Sequence, residues 1–114
     1  MKTKKKLVYI AGPYTNPDPV ANTHKAIRIG NLLSERGYAV FIPHLTLIWH
    51  LVSPKPLQFW YDHDIELLYR CDLLYRIKGS SKGADEEVRV AEEFGIPVIY
   101  EKGAGDILLM RELQ

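Results

Sequence analysis

Two acidic residues sit on helical faces that should be apolar. Glu87 lies three residues after Ala84, four before Ala91 and seven before Phe94. At helical spacing it therefore joins an apolar stripe of Ala84, Val88, Ala91 and Gly95, widened by Val90 and Phe94. Asp85, Glu86, Arg89, Glu92 and Glu93 occupy the polar side. Asp64 is four after Trp60 and four before Leu68, on a face that Leu57, Trp60, Tyr61, Leu67, Leu68 and Cys71 mark as inward. Asp62, Glu66 and Arg70 mark its outer face. A carboxylate turned toward a core costs several kcal/mol unless it is paired, hydrogen-bonded or protonated. One such acid is as readily a structural one, with Arg28, Arg76 or Arg89 as partner. Two, each in the first turns of a helix, point to chemistry. Helix N-termini stabilise negative charge, and paired carboxylates in a cleft do general acid/base or nucleophilic work at a sugar carbon.

The segment Gly79-Ser80-Ser81-Lys82-Gly83 opens the helix that carries Glu87. Small and hydroxyl residues at a helix start present free N–H groups to an anion, with Ser81 as a side-chain donor. Six residues before an inward Glu, this predicts a phosphate held near a reacting centre, whereas most such turns only connect elements. Gly12-Pro13-Tyr14 is a similar case. Gly12 lets backbone approach a ligand, and Tyr14 can hydrogen-bond or stack. Neither G-x-G-x-x-G nor a P-loop occurs. Asn22 is polar on the inward side of its helix, where a backbone bond is the expected role. His44, His50 and His63 have no zinc spacing and His24 falls on a surface face, so no metal site is expected. Trp49, His50 and Trp60 could wall a nucleobase pocket beneath a 44–55 loop acting as a flap. The two tryptophans fit core or a subunit interface equally well.

These residues need a scaffold, and the sequence alternates two kinds of segment. Residues 7–11, 38–42, 72–77 and 96–100 are short, apolar and rich in β-branched or aromatic types, which predicts strands buried on both faces of a parallel sheet. Helical periodicity covers about 20–36, 57–71 and 84–94, with a short fourth helix at about 104–112. Gly37 and Gly95 follow helix ends, Pro19 and Pro56 stand near helix starts, and Pro43 closes the second strand. The alternation predicts one Rossmann-like, doubly wound α/β domain over 1–114, with a basic lead-in at 1–6. Its sheet has four to five mostly parallel strands with helices on both faces. Ligands in such folds sit at the carboxyl ends of the strands, here the loops 12–18, 44–55 and 78–83.

Composition bounds the partners. The 114 residues are 46% hydrophobic and 25% charged, and Lys plus Arg number 15 against 14 Asp plus Glu, for a formal charge of +1. That balance has no footprint of a nucleic-acid polymer or membrane-surface binder. Only Lys2, Lys4, Lys5 and Lys6 cluster. The one cysteine, Cys71, excludes an internal disulfide. The 7–11 run is too short to be a signal segment or a membrane span. A cytoplasmic protein is expected.

Four motifs together are familiar. Val8-Tyr9-Ile10-Ala11-Gly12-Pro13, Trp60-Tyr61-Asp62-His63-Asp64, Cys71-Asp72 and Ser81-Lys82-Gly83-Ala84-Asp85-Glu86-Glu87 resemble the nucleoside 2-deoxyribosyltransferase superfamily over about residues 7–100. That superfamily includes N-glycosidases of 2'-deoxynucleoside 5'-monophosphates and a branch of uncharacterised bacterial, archaeal and phage proteins, to which this chain is most similar. The resemblance implies a Rossmann-like fold and a retaining mechanism without cofactor or metal. Glu87 stands at the nucleophile's position, Asp64 at that of the acid assisting the leaving base, and Tyr9 at that of a tyrosine orienting the nucleophile. The substrate contacts expected are Gly12, Pro13, Tyr14, Trp60, Ser81 and Gly83. Nucleoside-specific transferases carry an acid six residues before the nucleophile, where the monophosphate hydrolases carry serine. Ser81 therefore tilts the expectation to a 5'-phosphorylated substrate. Homodimers or larger assemblies that share their active sites are expected by analogy. The expected function is cleavage or transfer at the N-glycosidic bond of a (deoxy)nucleoside 5'-monophosphate. The alternatives are a nucleotide-sensing module without chemistry, or a structural oligomer with its acids paired.

Overall fold

The computed structural model describes residues 4–103. Four strands, β1 (Leu7–Ala11), β2 (Ala39–Phe41), β3 (Leu73–Arg76) and β4 (Val98–Tyr100), form one sheet in the order β2-β1-β3-β4. All three pairings are parallel, with Tyr9 beside Phe41 on one side and Leu74 on the other. The helices are α1 (Pro19–Glu35), α2 (Thr46–Val52), α3 (Leu57–Leu68) and α4 (Lys82–Glu93), with a 3₁₀ turn over Pro43–Leu45. The predicted strands and three of the predicted helices are present with ends shifted by up to three residues. The helix expected at about 104–112 lies outside the described residues.

Apolar residues on both faces of the strands require helices on both faces of the sheet. Val8, Ile10, Leu73 and Tyr75 pack against Ala26, Ile29 and Leu33 of α1. Tyr9, Ala11 and Leu74 pack on the other face, against Leu68 of α3 and Ala84, Val88 and Ala91 of α4. β1 therefore sends Tyr9 toward the two helices that carry the acids. Asp18 caps α1 by accepting from Val20 N and Ala21 N, with Pro19 in the first turn. Ser81 caps α4 by accepting from Ala84 N at 3.1 Å.

Three expectations need correction. The 44–55 segment is not a loop: Pro43–Leu45 and Thr46–Val52 are helical, and only residues 53–56 connect them to α3. Its run of apolar residues without a polar face, bracketed by Pro43 and Pro54, hid the short helix. Leu57 is exposed rather than inward, because the first residue of α3 precedes the turns that cover the sheet. Phe94, at the α4 C-cap, is exposed too and meets Tyr69 edge-on at 4.6 Å.

Candidate active site

A cleft of about 1140 Å³ opens at the carboxyl ends of β1 and β3. These two central strands are where the chain's winding reverses, the crevice in which doubly wound sheets hold ligands. Gly12, Pro13 and Tyr14 follow β1 into its wall; Trp60 and Asp64 come from α3; Ser81, Gly83 and Glu87 come from the start of α4. Trp49, offered by the sequence as a pocket wall, does not line the cleft but packs edge-on against Phe59, Trp60 and His63. Of the expected catalytic and substrate-contact residues, only Tyr9 is outside the lining. It lies fully buried behind it and donates its hydroxyl proton to Glu87 Oε2.

Desolvation dominates the electrostatics. Burial pushes the Glu87 carboxyl up to about 8, opposed by the Tyr9 hydrogen bond and reinforced by the Asp64 charge. Burial and the Glu87 charge push the Tyr9 hydroxyl well above the usual phenol value, so it stays a proton donor. The Asp64 carboxyl rises to about 6 through burial, held down in part by His63, whose Nδ1 is 3.0 Å from Asp64 Oδ1. Two of the three arginines weighed as partners for these acids bond to other groups, although the Arg76 charge still opposes the rise at Glu87. Buried Arg76 donates to the carbonyls of Ile77 and Gly79 and to Asp85 Oδ1, the last at 2.9 Å. Arg89 binds Glu86 and Glu93 on the outer face of α4. Neither Glu87 nor Asp64 forms an ion pair with an arginine among the described residues. The structural pairing weighed from the sequence is absent.

The two loops at the cleft are tightly fitted. A Cβ on Gly12 would meet Ile77 Cβ at 2.8 Å. Glycine there answers to the neighbouring strand as well as to any ligand. Gly79, at φ +131°, would place a Cβ 2.8 Å from Pro13 Cγ, so each loop limits the other. Asn22 Nδ2 donates to the carbonyls of Tyr14 and Asn16, both at 2.9 Å, the backbone role expected of it. At the start of α4, Ser81 Oγ uses a lone pair on Ala84 N, which leaves its proton free to donate outward. The space beside Gly83 is open. Among the described residues, no three His, Cys, Asp or Glu side chains are grouped to hold a metal ion, and no helix is long and apolar enough to cross a membrane.

The profile of DUF4406, described as a domain of unknown function, matches residues 6–100. The chain belongs to this family. No curated protein sequence matches it. Among solved structures, a 2-deoxyribosyltransferase from the psychrotolerant bacterium Bacillus psychrosaccharolyticus is similar, with a TM-score of 0.64 and 20% identity over 82% of this chain and 70% of that one. A 2-desoxiribosyltransferase from Leishmania mexicana is similar too, with a TM-score of 0.64 and 19% identity over 83% of this chain and 63% of that one. The chain thus spans less than two thirds of the Leishmania enzyme. The DUF4406 chain shares the α/β fold of these proteins, as the motif resemblance implied.

Other residues in or beside the DUF4406 cleft were not assigned roles from the sequence. His63 flanks Asp64, and its position beside a candidate acid was the available signal. Buried His44 turns Nε2 to the Pro13 carbonyl at 2.9 Å and so ties the 3₁₀ turn to the loop after β1. Tyr61 donates to Glu86 Oε1 at 3.3 Å. Lys55 also lines the wall, beside His50, which the sequence did offer as a wall residue. The His44 and Tyr61 contacts tie the 3₁₀ turn to the loop after β1 and α3 to α4, pairings that no local periodicity encodes.

Proposed function

We propose that this protein cleaves the N-glycosidic bond of a (deoxy)nucleoside 5'-monophosphate through a glycosyl-enzyme intermediate on Glu87. The reading is supported above all by one observation. A buried tyrosine hydroxyl holds one oxygen of a glutamate that has no ion-pair partner among the described residues, at a cleft also lined by a second acid of raised pKa.

In this reading Tyr9 fixes Glu87 Oε2, leaving Oε1 to attack the anomeric C1' carbon. The C1'–O bond forms as the C1'–N bond breaks, and the electron pair of that bond leaves on the base. Asp64, in the form that carries the proton, gives it to the departing nitrogen. The same carboxylate then takes a proton from water, or from a second base, which attacks C1' and frees Glu87. Ser81 and the open N-terminus of α4 receive the 5'-phosphate, where N–H groups and the helix dipole favour negative charge. We further propose a homo-oligomer, a soluble cytoplasmic setting, and no metal or cofactor in this chemistry.

The test is release of free base from ribo- and deoxyribonucleoside 5'-monophosphates, each beside its unphosphorylated nucleoside, followed by chromatography. Base is expected from a monophosphate and not in Glu87→Ala. Release that persists in Glu87→Ala would remove the nucleophile. Monophosphates that raise Tm without releasing base would leave a nucleotide-binding module.

A further inference from the structure

His50 of α2 lies against Trp60 of α3. The Trp60 Nε1–H donates to His50 Nδ1 at 2.8 Å, and the backbone N–H of Lys55 approaches the same atom at 3.3 Å. Both groups can only donate, so Nδ1 must accept and the proton of the neutral ring sits on Nε2. Among the described residues Nε2–H has no protein partner, and it is not sealed from solvent. His50 and Trp60 both line the cleft. The structure thus holds a ring nitrogen of fixed donor character at the cleft wall, without assigning it a partner.

We infer that His50 recognises a carbonyl oxygen on the nucleobase, and that Trp60 is the positioning residue that keeps Nε2 a donor. This inference rests on the nucleotide reading above. Trp60 and Asp64 are one helical turn apart on α3. The acid that protonates the leaving base and the indole that orients His50 therefore belong to the same side of the cleft. Glu87 and Ser81, on α4, attend to the sugar and phosphate. A donor on the base side pairs with a keto oxygen and opposes an exocyclic amino group. The substrate class is then a base with a keto group where its rival carries an amino group.

Calorimetry on Glu87→Gln protein, which spares the ligand, measures this with two matched pairs of 2'-deoxynucleoside 5'-monophosphates: hypoxanthine against adenine, and uracil against cytosine. In at least one pair the keto member is expected to bind about tenfold more tightly, the range of one well-placed hydrogen bond. Adding His50→Phe should erase that ratio, and adding His50→Gln, which keeps an N–H, should restore part of it. Long-range ¹H–¹⁵N correlation spectra should show His50 protonated on Nε2 in the wild type and a tautomer mixture in Trp60→Phe. Binding with no keto preference, or one unchanged by His50→Phe, overturns base reading by His50 while leaving the nucleotide site standing. A proton on Nδ1 in the wild type overturns it independently of any ligand. No binding by any nucleotide, with the tautomer as stated, overturns the functional reading and this inference with it.

Discussion

At the residue scale, Glu87 and Asp64 were legible because a helix repeats: an acid among apolar neighbours three and four away has nowhere to face but inward. Tyr9 was not legible that way. In a strand buried on both faces every position is apolar, so alternation cannot single out the one whose hydroxyl matters, and only the motif resemblance named it. The fold-imposed cost of Glu87 is measurable. Its carboxyl moves from an ordinary value of 4.5 to about 8. The unfolded chain therefore releases the proton near 4.5 while the folded chain retains it, and stability falls as pH rises through that window and levels off above about 8. Glu87→Gln should melt above the wild type at pH 8, with the gap closing toward pH 4.5; equal melting at both pH values would contradict the desolvation. Catalysis has its own signature. The competent form needs Glu87 ionised and Asp64 protonated, the reverse of what values of about 8 and about 6 favour. The rate should rise to about pH 6, stay level, and fall above about pH 8, with roughly one molecule in a hundred competent on the plateau. In Asp64→Asn the alkaline fall should vanish and the rising limb should extend beyond pH 6. A fall that survives in this variant would assign the proton donor elsewhere.

At the element scale, the start of α4 joins a cap and an anion site in one residue. Asp and Ser are comparable N-caps, whereas Ala loses about 1 kcal/mol. Ser81→Asp therefore separates the two roles. It should leave Tm within a degree or two of the wild type, while weakening 5'-monophosphates at least tenfold relative to free nucleosides. Equal weakening of both would place the phosphate away from Ser81. The loop before that cap is held by Arg76, whose guanidinium spans the Ile77 and Gly79 carbonyls and Asp85. The sequence offered Arg76 as a partner for the inward acids. Its true partners are backbone groups and a carboxylate on the outer side of α4, which side-chain periodicity does not report. The helix α2 was unread for a related reason. Leu47, Ile48, Trp49, Leu51 and Val52 are apolar on every side, and a seven-residue helix shows too few turns to establish a period.

At the scale of the whole molecule, the reversal of winding between β1 and β3 opens the cleft, and the alternation of strands and helices was sufficient to locate it. What the sequence left open is the surface beside the cleft. Ile48 is 66% exposed, Leu51 66%, Val52 81% and Leu57 85%, and Leu57 also lines the cleft mouth. Ile48, Leu51 and Val52 share one face of α2 by helical spacing, and an exposed apolar face of this kind marks an interaction site. A second copy of this chain is the occupant we propose, because the patch runs into the cleft and because a formal charge of +1 leaves little repulsion between copies. Covering α2 in this way would also steady His50 and Trp60, so assembly and base recognition become coupled. Light scattering at tens of micromolar should give twice the chain mass, and Leu51→Asp combined with Val52→Asp should give a folded monomer with weakened nucleotide binding. The two aspartates replace exposed side chains, so the fold is expected to tolerate them. A wild-type monomer at that concentration would end the proposal, and a variant that remains dimeric would move the interface off α2.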